Sequence, residues 1–273
     1  MLKPRIIGVV LMAILAGVNI ATPALQTDVV FYDHAVVGSG EVYRSVSVYD
    51  SPSRRTTVEF YGEAEYLTMY DSSILNLHEG AKFESFGGGW NRLYKSSTLN
   101  VFEGAKIGAG SAANMDLYDL STLNIYGGIV DMIVVASDAA TINLHKGSLG
   151  MLGAIADNST LNVYSGYVDV FLTNFDVSPT STVNIYGYGF EYKSNGRWMP
   201  PIGEGQGWWV SKLTGYSFTG NPITVWGLPD PKIHVNINLI PEPMTLLLLG
   251  LGWLCLFKIR GCDLLKMKGD RQC

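Results

Sequence analysis

A short motif that returns at near-constant spacing constrains this chain more than any other feature. The stretch Ser121-Thr122-Leu123-Asn124-Ile125-Tyr126-Gly127 recurs, with small changes, around Asn76, Asn100, Asn143, Asn162 and Asn184. A degenerate copy at 57–62 carries Glu59 in the asparagine place. From Asn76 to Asn184 the asparagines step by 24, 24, 19, 19 and 22 residues. Within each copy polar and apolar residues alternate, the period of a strand with one buried face. The following glycine permits a backbone turn closed to other residues. One strand-rich unit repeated at this period stacks into a solenoid, because a single unit cannot bury its own apolar face.

The predicted fold is therefore all-β: a parallel β-helix over 57–187 with neighbouring turns about 4.8 Å apart. Leu99, Val101, Leu123, Ile125, Ile142, Leu144, Leu161 and Val163 point inward as its core, and the asparagines point outward. A second apolar strand follows each glycine, as at 129–135 and 167–172, so each turn holds at least two strands and two corners. Residues 25–56 read as an N-terminal cap with a first incomplete turn, since an uncapped solenoid exposes a strand edge. Residues 188–240 break the period with Trp198, Trp208, Trp209 and Trp226 and read as a C-terminal β cap.

Residues 1–24 have a basic start (Lys3, Arg5), an apolar run and the small-residue ending Ala21-Thr22-Pro23-Ala24. This predicts a secretory signal peptide, an uncleaved anchor being the alternative; either implies export. Between residues 25 and 240 there are 12 Lys and Arg against 21 Asp and Glu, a net charge of −9. Such a body repels polyanions, which excludes nucleic acid as a partner. The cysteines, Cys255, Cys262 and Cys273, all lie near the C-terminus, so the body holds no disulfide and stability rests on packing and backbone pairing.

Three outward columns follow from the repeat. Stacked amides of Asn124, Asn143, Asn162 and their equivalents form a hydrogen-bonded ladder, with a sugar-binding face as the sharper reading. Tyr61, His78, Phe102, Tyr126, His145, Tyr164 and Tyr186 form an aromatic column. Its rings stack on one another or on sugar rings, so Tyr126, His145 and Tyr164 are the glycan-binding candidates. Asp119, Asp138 and Asp157, five residues before their asparagines, read as turn residues or as a weak calcium site. No cofactor is implied. No nucleophile elbow, zinc-binding helix or phosphate loop occurs, and columns of like residues build surfaces rather than catalytic sites. The expectation is a non-enzyme.

After the body comes Ile240-Pro241-Glu242-Pro243-Met244-Thr245, then a leucine-rich run and the basic residues Lys258 and Arg260. By itself this predicts a short membrane helix with its basic end inside. Pro241, Glu242 and Pro243, the glycine-punctuated leucine run, and Lys258 with Arg260 together resemble the PEP-CTERM sorting signal over 241–260, with 261–273 as a basic tail. The resemblance implies a bacterial envelope protein cut near Pro-Glu-Pro by an exosortase-type enzyme, often alongside exopolysaccharide. It also implies a passing stay in the inner membrane before release to the cell surface or matrix. The expected function is thus an exported structural or interaction protein. A glycan-binding surface is the alternative, and a β-helix polysaccharide lyase or hydrolase a more distant one.

Overall fold

A computed structural model describes residues 27–84, 90–108, 114–170, 176–178, 180–194, 197–199, 210–228 and 235–239. The expected signal peptide (1–24), sorting signal with its transmembrane helix (241–260) and basic tail (261–273) lie outside the described residues. The described residues hold strands and no helix, so none among them is long and apolar enough to cross a membrane.

The chain begins with β1 (Thr27–Phe31) and β2 (Ala35–Val37), then β3 (Val42–Val48) and β4 (Thr57–Phe60). β5 (Glu63–Met69) and β6 (Ile74–Leu77) make the next turn. Two turns of three strands follow: β7 (Lys82–Phe83), β8 (Trp90–Leu93) and β9 (Thr98–Phe102), then β10 (Lys106–Ile107), β11 (Asn114–Leu117) and the start of β12 (Thr122–Ala136). β13 (Thr141–Ile155), β14 (Thr160–Val163), β15 (Gly166–Val170), β16 (Asp176–Val177) and β17 (Thr182–Ser194) continue the winding. β18 (Arg197–Met199), β19 (Val210–Tyr216), β20 (Pro222–Leu228) and β21 (Val235–Leu239) end it.

Among the described residues of 57–187 the strand pairings are parallel, and each strand lies on its equivalent one turn away. Asn76 pairs in register with Asn100, Asn100 with Asn124, Asn124 with Asn143, Asn143 with Asn162, and Asn162 with Asn184. The result is a parallel β-solenoid of about seven turns. Alternation decides which face is buried: the eight predicted core residues are all at most 2% exposed. The turn into each asparagine strand is closed locally, with Ser121 N donating to Tyr118 O at 3.1 Å and Ser159 N to Ala156 O at 3.1 Å.

The glycine corners are tight. Gly147 and Gly166 have φ of +102° and +105°. A Cβ on Gly147 would stand 2.3 Å from Gly128 O, and one on Gly166 2.5 Å from Gly147 O. Stacked corners thus press backbone against backbone, and only glycine fits.

Three features differ from the sequence expectation. Parallel pairing begins at β1 on β3 and β2 on β4, so the coil starts about thirty residues before the first recognisable motif. The second apolar stretch of each turn divides into two paired segments: Ile129 and Val130 lie on β10, and Ile133 to Ala136 on β11. In the longer turns these segments become separate strands. At the C-terminal end, β17, β18, β19 and β20 pair antiparallel, as a cap requires, but β20 also lies parallel on β15 and β21 on β17. Val235-Asn236-Ile237 pairs with Val183-Asn184-Ile185, a further copy of the repeat that the altered flanks conceal.

Because Ile125 is fully buried between Val101 and Leu144, Ile125→Asp is expected to prevent folding by burying an unpaired charge. Ile125→Val should cost only about 0.5–1.5 kcal/mol. Circular dichroism and urea unfolding of the two variants check the contrast.

Candidate functional site

The asparagine column is one continuous hydrogen-bonded ladder. Asn100 Nδ2 donates to Asn76 Oδ1 at 2.7 Å, and Asn124 to Asn100, Asn143 to Asn124 and Asn162 to Asn143 each at 2.8 Å. Asn184 Nδ2 donates to Asn162 Oδ1 at 2.9 Å. All six amides point the same way, so the first of them has an N–H that needs an acceptor beyond it. Glu59 supplies it: Oε1 accepts from Asn76 Nδ2 at 2.8 Å, and Oε2 contacts His78 Nε2. Glu59, in the asparagine place of the degenerate copy, thus ends the ladder with an acceptor. Burial pushes its carboxyl up, but the bonds from His78 and Asn76 outweigh this and hold it below its ordinary value.

The aromatic column is also continuous. Neighbouring ring centroids from Tyr61 through His78, Phe102, Tyr126, His145 and Tyr164 to Tyr186 lie 4.6–5.4 Å apart, with interplanar angles of 6–16°. The rings therefore spend their faces on one another. Tyr126 (39% exposed) and Tyr164 (36% exposed) offer edges and hydroxyls to solvent. A sugar meeting Tyr126, His145 or Tyr164 would find hydrogen-bonding edges rather than a stacking platform. Burial pulls the His145 imidazole below its ordinary value.

Asp71, Asp119, Asp138 and Asp157, together with Lys95, occupy one corner position with φ of 55–61°. This left-handed conformation suits aspartate among residues with a side chain. Three of the carboxylates also secure the turn before: Asp119 Oδ2 accepts from Lys95 N at 2.9 Å, Asp138 Oδ2 from Asp119 N at 3.0 Å, and Asp157 Oδ2 from Asp138 N at 3.2 Å. Lys95 cannot accept, and its ammonium pairs with Asp71 instead. The carboxylates weighed for calcium are thus engaged by backbone amides. Among the described residues no three acidic or histidine side chains converge on a metal position.

A second aromatic column went unread in the sequence. Tyr32, Tyr49, Tyr70, Tyr94 and Tyr118 stack with centroids 4.6–5.6 Å apart. Its signal was present: each tyrosine immediately precedes the corner residue, as in Tyr32-Asp33, Tyr49-Asp50, Tyr70-Asp71, Tyr94-Lys95 and Tyr118-Asp119. Pro241, Glu242, Pro243, Lys258 and Arg260 lie outside the described residues.

No protein-family model, curated protein or solved structure matches this chain.

Asn124→Ala removes the acceptor of Asn143 and the donor to Asn100 together, and a loss of about 1–3 kcal/mol is expected in urea unfolding. Acid should also weaken the fold. The depressed Glu59 contributes stability that is full above its ordinary value of 4.5 and is lost as pH falls through its folded value. His145 contributes likewise above 6.5. Thermal unfolding against pH should flatten below 6.5 in His145→Phe, which preserves the stack as Phe102 does, and below 4.5 in Glu59→Gln.

Proposed function

We propose that the chain is an exported, non-catalytic structural protein of the bacterial cell envelope or extracellular matrix. A PEP-CTERM-type signal at Pro241-Glu242-Pro243 with Lys258 and Arg260 would deliver it, and an exosortase-type enzyme would process it. The observation that carries the structural half is how the repeated outward side chains are used. The asparagines bond to one another, the aromatics stack on one another, and the aspartates bind backbone amides. A side chain committed in this way stiffens the rod and has little left for substrate chemistry, which needs unlike groups converging on a reacting atom.

The sorting half rests on the sequence alone. The acidic body gives no reason to stay at a bilayer, whereas an apolar segment ending in basic residues does. A second reading, a glycan-binding surface, is favoured by the exposed edges of Tyr126 and Tyr164. Exopolysaccharide in the matrix is its natural ligand class.

Replacing Pro241-Glu242-Pro243 with three alanines is expected to hold the protein at the membrane and accumulate a longer form. Mass spectrometry of the native exported protein decides the matter. A C-terminus near Pro243 supports processing; an intact Cys273 on released material refutes it and leaves a surface protein held by its membrane segment.

A further inference from the structure

One place on the surface gathers unlike residues instead of a column of like ones. It lies on the outward side of β8 and β11, where Arg92 pairs in register with Asp116 and Trp90 with Asn114. Thr68 stands in the turn before Arg92, and Val135 in the turn after Asp116.

Trp90 is 49% exposed, and the guanidinium carbon of Arg92 lies 5.1 Å from its ring centroid. That is cation–π geometry. Arg92 Nε is closed to solvent and has no acceptor, a condition folded chains seldom leave without a purpose. Asp116 is 4% exposed, and among the described residues its side-chain hydrogen bond is the long 3.3 Å contact donated by Tyr118 Oη to Oδ2. Burial pushes the Asp116 carboxyl up, against the opposing influence of Tyr118 and Arg92. None of the ion pairs among the described residues joins Arg92 to Asp116. A half-buried guanidinium and a buried carboxylate thus stand one turn apart without being closed on each other.

The geometry points to a binding site at Trp90, Arg92 and Asp116 for a neutral, polyhydroxylated ring, a hexose unit of a glycan. A hydroxyl both donates and accepts, so one ligand reaching the outer guanidinium nitrogens of the half-buried Arg92 and Asp116 Oδ1 engages both together. The indole offers its exposed surface to the ring's C–H face. An anion would meet Asp116, a cation would meet Arg92, and an apolar ligand would leave both groups unsatisfied. Unlike the aromatic columns, whose faces are occupied by one another, this cluster has a half-exposed indole beside Arg92 and Asp116. The site goes beyond the structural role and does not rest on the sorting signal.

The test uses the purified full-length chain, titrated calorimetrically with gluco-, manno- and galacto-oligosaccharides, and with hexuronate oligosaccharides as charged counterparts. Binding of at least one neutral series is expected, weakened roughly ten- to hundredfold by Arg92→Ala and by Asp116→Asn. Trp90→Ala, at a half-exposed position, should lose binding with its unfolding midpoint unchanged, which keeps the test decisive should Asp116→Asn fail to fold. The proposal is overturned by no binding of any neutral series, by preference for hexuronates, or by binding that survives both Trp90→Ala and Arg92→Ala. A destabilisation by Arg92→Ala that Asp116→Asn reverses, with binding untouched, would equally assign the pair to charge balance alone.

Discussion

Everything in this fold depends on parallel backbone pairing of each turn with its equivalent one turn away. Corner bonds maintain the alignment where strands pause: Thr122 N donates to Ser97 O, Thr141 N to Ser121 O and Thr160 N to Ala140 O, each at 2.9 Å. Once register is fixed in this way, any residue type that recurs in the sequence becomes a column in space. The steps between asparagines still vary from 19 to 24 residues. Most of the variation is taken up between the two segments after the glycine, which are separate strands in the long turns and joined within β12 and β13 in the short ones; one residue of it falls at the glycine corner. The asparagine strand and the aspartate corner keep constant lengths because their side chains must meet their neighbours.

Stacking identical side chains suits some chemistries and penalises others. Amides carry a donor and an acceptor, so each can serve two neighbours. Flat rings gain from parallel offset contact. Carboxylates in a row repel, and the aspartate corner succeeds because each charge addresses a backbone amide of the adjacent turn. Ion pairs enter where a column changes residue type, as at Lys95 with Asp71. The core shows the same economy. Leu67 N, at a point where strand pairing shifts from β7 to β8, bonds at 2.8 Å to the side-chain oxygen of the fully buried Asn91.

The solenoid was legible because Leu123 and Ile125 alternate with Thr122 and Asn124, and because that pattern recurs with its glycine. The inward and outward assignments of all eight core residues followed from period alone. The extent of the coil within 25–56 was less legible than the incomplete turn expected there: β1 and β2 share the pairing of the repeat but not its residues. The antiparallel pairing of β19 with β17 likewise depends on contacts between segments well apart in the chain. At the surface, the columns could be read one position at a time, but not whether ring faces were free. The grouping of Arg92 with Asp116 needed register across 24 residues and two turns that share no motif there.

The amide ladder has a consequence for motion. An asparagine can turn its amide over at small cost when isolated, exchanging donor for acceptor. In this column one such reversal would set carbonyl against carbonyl on one side and amino against amino on the other. The six orientations are therefore coupled like a row of compass needles, and the lowest-energy arrangements are those in which all agree. Glu59 breaks the tie, since a carboxylate can only accept. One acidic side chain at one end thus acts as a boundary condition, selecting a single orientation for amides as distant as Asn184, more than a hundred residues along the chain.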